Sequence, residues 1–142
     1  MKAAGLRWTT TRSLVTWALA RAERPLNAYA VRDAVAASGR KVDVVSVYRT
    51  LATMASLGLV HRIGSADGYW PCALDRAHEG GFQYVYCPTC GLVEEQELDE
   101  SAVGALSRGL MESGRSVESV NVELVAPCAE CASGTDGKGP GD

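Results

Sequence analysis

Apolar residues recur at helical spacing in three successive stretches. The first carries Leu14, Val15, Ala18, Leu19 and Ala22 behind Thr9–Thr11, whose hydroxyls suit a helix N-terminus, and Pro25 is expected to end it. A second helix is expected to begin at Asn27, with Ala28, Val31, Ala34 and Val35 inward and Gly39 as its stop. A third follows Asp43, with Val44, Val47, Leu51, Met54 and Ala55 on one side and Gly58 at its end. The period then changes. Leu59–Ile63 and Tyr69–Trp70 partly alternate around a Gly64–Gly68 turn, which predicts a β-hairpin. Three helices followed by a hairpin over residues 5–71 predict a winged helix-turn-helix.

Beyond a linker the pattern is that of a second, smaller unit. Phe82–Tyr86, the flanks of Leu92–Val93, and Val120–Leu124 read as strands. Residues 99–113 read as a helix with Val103, Leu106 and Leu110 inward. The fold class is therefore α+β. The expected boundaries are a DNA-binding domain at 1–71, a hinge at 72–81, a second domain at 82–131 and a disordered tail at 132–142. About 50 residues bury too little on their own, so the second domain needs a metal, a partner copy, or both.

Charge sharpens this division. The 142-residue chain has a net charge of −3. Residues 1–62 hold ten Lys and Arg against three acidic residues, whereas the remainder holds four against fourteen. Only the first half is suited to phosphate. On the third helix Tyr48 and Arg49, flanked by Ser46 and Thr50, lie off the main apolar stripe. Arginine can bond guanine or phosphate, and tyrosine can pack on thymine methyls. Lys2 and Arg7 sit where an N-terminal arm would reach phosphate. No apolar run is long enough to span a bilayer, and the N-terminus lacks a secretory apolar segment, so the expected location is the cytoplasm.

Four of the five cysteines form two Cys-x-x-Cys pairs, Cys87/Cys90 and Cys128/Cys131. Such pairs serve as metal ligands or as redox dithiols. No βαβ context places either pair at a helix N-terminus, which disfavours a dithiol oxidoreductase. Four thiolates suit a closed tetrahedral Zn²⁺ site, which is structural because no coordination position stays open. Neither a nucleophile–base constellation nor a glycine-rich phosphate loop marks the chain as an enzyme, and no small organic substrate is implied.

Several of these residues also carry a family resemblance. Gly5–Thr9 with Arg12, Ala28–Tyr29, Val45-Ser46-Val47-Tyr48-Arg49-Thr50-Leu51, Gly58–Val60, Tyr69 and the two Cys-x-x-Cys pairs resemble the ferric uptake regulator family, collinearly from about residue 2 to 131. The resemblance implies a homodimeric, metal-responsive repressor on double-stranded operator DNA, with the second domain serving dimerisation and holding structural zinc. The chain has only two histidines, so it lacks the histidine-rich run usual in iron and peroxide sensors of the family, and a peroxide-sensing site rich in histidine and aspartate cannot be built. It most resembles the zinc-uptake branch, which implies a regulatory Zn²⁺ held by His61, Cys72, His78 and Glu95. Glu94 is an alternative to Glu95, and Asp75, Glu79 or water are alternatives to His78. The competing readings are a sensor of iron or another divalent ion, and a DNA-binding protein with structural zinc only.

Overall fold

The computed structural model describes residues 5–73 and 81–134. The chain divides into two compact units between Cys72 and Ala73.

The first unit is built from α1 (Thr10–Ala20), α2 (Ala28–Ala37), α3 (Val44–Ser56) and a hairpin of β1 (Val60–Ile63) and β2 (Gly68–Pro71). Each helix starts where a side-chain oxygen accepts an otherwise orphaned backbone N–H. Thr9 accepts from Arg12 at 3.2 Å, Asn27 from Ala30 at 2.8 Å and Asp43 from Ser46 at 2.8 Å. Helix α1 ends at Ala20 with Arg21 as its C-cap, before the expected stop at Pro25. Pro25 and Leu26 instead meet the hairpin. Leu26 and Tyr69 exchange backbone hydrogen bonds of 3.1 and 2.8 Å, adding one bridge beside β2. The segment passes so close to Gly68 that a Cβ there would lie 2.8 Å from the Pro25 carbonyl carbon. The three helices converge on one core of Val15, Leu19, Val31, Val35, Val47, Leu51 and Met54, closed by Val60. Asp67, with φ of 45°, turns the hairpin in the left-handed region.

The second unit holds β3 (Gly81–Tyr86), β4 (Val93–Leu98), α4 (Glu100–Glu112), β5 (Val120–Val125) and a four-residue α5 (Ala129–Ala132). Its sheet has the order β4-β3-β5, with β3 antiparallel to β4 and parallel to β5. Ala132, the expected start of the disordered tail, is the last residue of α5, and residues 135–142 lie outside the described residues. Burial in this unit is thin: Phe82, Tyr84, Cys87, Val93 and Cys128 are its buried apolar residues among those described. The expectation that Leu106 and Leu110 face inward is not met, since they are 57% and 43% exposed. Met111 on α4 and Leu124 and Val125 on β5 are exposed as well. The α4 stripe is helical in period, but its own sheet does not cover it. No helix among the described residues is long and apolar enough to cross a membrane.

Candidate functional site

Helix α3 shows two faces. Val47, Thr50, Leu51 and Met54 are buried, whereas Val45, Tyr48, Arg49 and Ala52 are exposed. The exposed set falls at i, i+3, i+4 and i+7, one continuous stripe. Tyr48 and Arg49 lie on it, as expected. Thr50 does not: at 8% exposure it is part of the inward side, which withdraws it from any groove. Ser46 is half-buried, and its hydroxyl donates to Asp43 Oδ2 at 2.6 Å. That bond, with the Ser46 backbone N–H, holds the Asp43 carboxyl below its usual range, so Ser46 works in the helix cap. Arg7 is exposed, and its carbonyl accepts from the Arg12 guanidinium. Lys2 lies outside the described residues.

Two residues extend the α3 stripe beyond the expected set. Val45 adds an apolar contact at its N-terminal end. Tyr29 of α2, 51% exposed, meets Tyr48 edge to face with ring centroids 6.2 Å apart. The Arg32 guanidinium lies over the Tyr29 ring at 5.3 Å, and Arg32 pairs with Asp33 at 2.9 Å. The i, i+3, i+4 spacing of Val45 was visible in the sequence. The Tyr29–Tyr48 contact depends on helix packing and was not.

In the second unit the turn after β3 carries Cys87 and Cys90, and the segment after β5 carries Cys128 and Cys131. Strand pairing brings the two turns together. β3 and β5 run parallel in register from Gly81↔Val120 to Tyr86↔Val125, so their C-terminal ends emerge side by side. The backbone closes the first turn through Gly91 N–H to Cys87 C=O at 2.9 Å, with Gly91 at φ 83°, where a side chain would be strained. All four sulfurs lie within 4.8 Å of one another, and Cys90 Sγ is 3.8 Å from Cys128 Sγ. Tetrahedral zinc with bonds of about 2.3 Å to sulfur sets its ligands about 3.8 Å apart, so the donor set and its spacing fit that ion.

Charge in the cluster is uneven. Backbone N–H groups of Cys90 and then Cys128 point at Cys87 and pull its thiol down to about 6. Cys131 is pushed up to about 12, first by its hydrogen bond to Cys128 and then by burial. Cys90 is raised as well: the Leu92 N–H lowers it, and burial and the neighbouring Cys87 and Cys128 thiols outweigh that. One thiolate is thus favoured and further ones are opposed until a cation offsets the crowded charge.

Cys72 stands apart from this cluster. Its backbone N–H donates to Leu59 C=O at 3.0 Å, which continues the hairpin by one pair beyond Val60↔Pro71. Directly opposed residues share a face, as do residues two apart, so His61 and Cys72 lie diagonally on one face of the hairpin. Their ligand atoms are within 4.8 Å of each other, and both residues are half-buried. In the second unit Glu95 sits on β4 opposite Tyr84, and its Oε2 accepts from the Ala73 backbone N–H at 3.0 Å. Glu94 is exposed on the alternate side of the strand. His78 lies outside the described residues.

Comparison with known proteins follows the same outline. Residues 3–125 match the model of the Ferric uptake regulator family. The zinc uptake regulation protein of Mycobacterium tuberculosis is 28% identical over 136 residues, covering 94% of this chain and all of that protein. Among solved structures, holo XcZur is 27% identical with a TM-score of 0.76, covering 91% of this chain and 89% of that one. A zinc uptake regulator complexed with zinc and DNA shares the fold at 23% identity and a TM-score of 0.78, covering 93% and 87%.

Proposed function

This chain belongs to the ferric uptake regulator family, and we propose that it is a zinc-responsive, DNA-binding repressor of metal-uptake genes, working as a cytoplasmic homodimer. It is a regulator and not an enzyme. Cys87, Cys90, Cys128 and Cys131 hold a structural Zn²⁺ that clamps the ends of β3 and β5. His61, Cys72 and Glu95, with His78 from the linker, hold a second, regulatory Zn²⁺. The observation that carries zinc over iron is the donor chemistry: a thiolate and an imidazole with ligand atoms within 4.8 Å. Sulfur and nitrogen donors suit Zn²⁺ better than a hard-oxygen ion. The hydrogen bond from Ala73, the residue after Cys72, supports Glu95 over Glu94 as the carboxylate.

Bound metal would supply a crosslink among the side chains that hold it. The protein's own residues do the rest. Arg49 and Tyr48 present a bidentate donor and an aromatic face to a DNA groove, Val45 and Tyr29 widen the stripe, and Arg7 and Lys2 add positive charge toward phosphate. The uncovered Leu106, Leu110 and Met111 of α4 and Leu124 and Val125 of β5 give a second copy an apolar surface to bury. Zinc regulates only through a difference in affinity between DNA-competent and incompetent forms. A 100-fold preference supplies about 2.7 kcal/mol, enough to separate repressed from derepressed states.

The deciding experiment titrates operator binding against free Zn²⁺ and free Fe²⁺ and measures metal content on the same samples. Two zinc ions per chain, with DNA binding tracking the more easily chelated one, is the expected result. Activation by iron at lower free concentration than zinc would overturn the metal assignment. Metal-independent DNA binding would leave structural zinc only.

A further inference from the structure

Helix α4 meets its sheet closely at one end: a Cβ on Gly81 of β3 would lie 2.9 Å from Val103 Cγ2 and 3.0 Å from Leu98 Cδ1. Beyond that contact a cavity of about 740 Å³ opens between α4 and the 114–120 segment that leads into β5. Its lining belongs wholly to the second unit. Leu98, Val103, Met111, Val117 and Val120 give it apolar walls. Ser107 is the one buried residue of the described lining, at 3% exposure, and its hydroxyl has no hydrogen-bond partner among the described residues. Buried hydroxyls are nearly always paired, so this one calls for a partner from elsewhere. At about 100° of helix per residue, Leu106 and Leu110 fall to one side of Ser107, and Gly104 and Met111 to the other. The cavity face of α4 is therefore centred away from the exposed Leu106–Leu110 stripe.

We infer that this cavity is a binding site for a small, neutral organic molecule with an apolar body and one hydrogen-bonding group, which Ser107 Oγ holds. Small-molecule sites enclose roughly 300–1,000 Å³, are mostly apolar, and use a few polar groups to fix orientation. Charge at the lining disfavours an anion, because Glu100 and Glu118 outnumber Arg115. All three are exposed and stay solvated. The buried polar group is an uncharged hydroxyl, and one hydroxyl does not offset the desolvation of an ionised ligand. A hydroxyl both donates and accepts, so a phenol, an alcohol or a ketone satisfies it. The inference is independent of which metal the cysteine and histidine ligands hold.

The test uses the zinc-loaded full chain and three single-ring probes of similar size: p-cresol, toluene and p-toluate. Amide proton–nitrogen spectra locate binding, and titration gives its strength. p-Cresol should shift amides within 98–120 and bind about 3–10-fold tighter than toluene, the net value of one hydrogen bond. p-Toluate should bind more weakly than p-cresol. In Ser107→Ala the preference for p-cresol over toluene should disappear. The melting temperature of that variant without probe should hold or rise, because an unpaired buried hydroxyl has been removed. No shifts within 98–120 at saturating p-cresol would overturn the site, including the case in which a second copy covers it. Equal affinity for p-cresol and toluene in the parent, or a preference that survives Ser107→Ala, would overturn the role of Ser107. Tighter binding of p-toluate than of p-cresol would overturn the neutral class of ligand.

Discussion

Replacing Cys128 by serine should unfold one half of the protein and spare the other. The second unit buries Phe82, Tyr84 and Val93 as its described apolar core apart from Cys87 and Cys128. At about 1.5–3 kcal/mol for each fully buried large side chain, those three contribute roughly 5–9 kcal/mol before any chain entropy is counted. A structural zinc in a small site contributes about 10–16 kcal/mol at neutral pH, so the metal outweighs the core. Cys128 is itself nearly buried, and its sulfur lies 3.8 Å from that of Cys90, so a serine there opens the ligand set at its centre. The first unit has its own core of at least ten buried residues and no share in this site. Hydrogen–deuterium exchange under reducing conditions, with zinc content measured in parallel, reads both halves at once. Amides in 81–134 should exchange at near-unfolded rates, while those in α1, α2 and α3 stay protected. A Cys128→Ser protein that keeps one tightly held zinc and full protection in β3–β5 would refute this reasoning.

Other outcomes follow from the same geometry. Arg49→Ala should weaken operator binding by about 1–3 kcal/mol if the guanidinium contacts a base, and should act equally on all sequences with a shallower salt dependence if it contacts phosphate; titrations at several salt concentrations separate the two. Zinc binding to the metal-free protein at pH 7.5 should release at least two protons, because Cys90 and Cys131 are raised and must lose theirs, and calorimetry in buffers of different ionisation enthalpy measures the number. Leu110→Asp should shift the protein toward monomer in sedimentation while leaving the zinc content of each chain unchanged. Gly68→Ala should lower the melting temperature of the first unit, since its Cβ would lie 2.8 Å from Pro25 backbone.

Much of this was legible from residue types and spacing. Thr9, Asn27 and Asp43 announce three helix starts because short oxygen-bearing side chains satisfy backbone N–H groups best at those positions. The cysteine pairs announce a metal site because two-residue spacers bring sulfurs together. The failures have physical causes too. Thr50 is polar, yet helical phase places it beside Val47, Leu51 and Met54 on the inward side, and phase prevailed over residue type. Leu106 and Leu110 form a helical stripe, but periodicity records only that a face is apolar. It does not say whether the cover is the chain's own sheet or another molecule. The Tyr29–Tyr48 contact and the Ala73–Glu95 bond join residues far apart in sequence, where no local pattern reports them.

The separation of the two cysteine pairs has a consequence for synthesis. Cys90 and Cys128 are 38 residues apart, and β4, α4 and β5 all lie between them. A ribosome releases α1 to β2 long before the second pair exists, so a unit with its own core is made first. The clamp closes only after β5 has emerged and found its place beside β3. A chain cut short anywhere before Cys128 would therefore carry a folded first unit and a second unit without half of its sulfur ligands. On the zinc reading proposed above, filling of the four-cysteine site would then mark a chain made at least as far as Cys131.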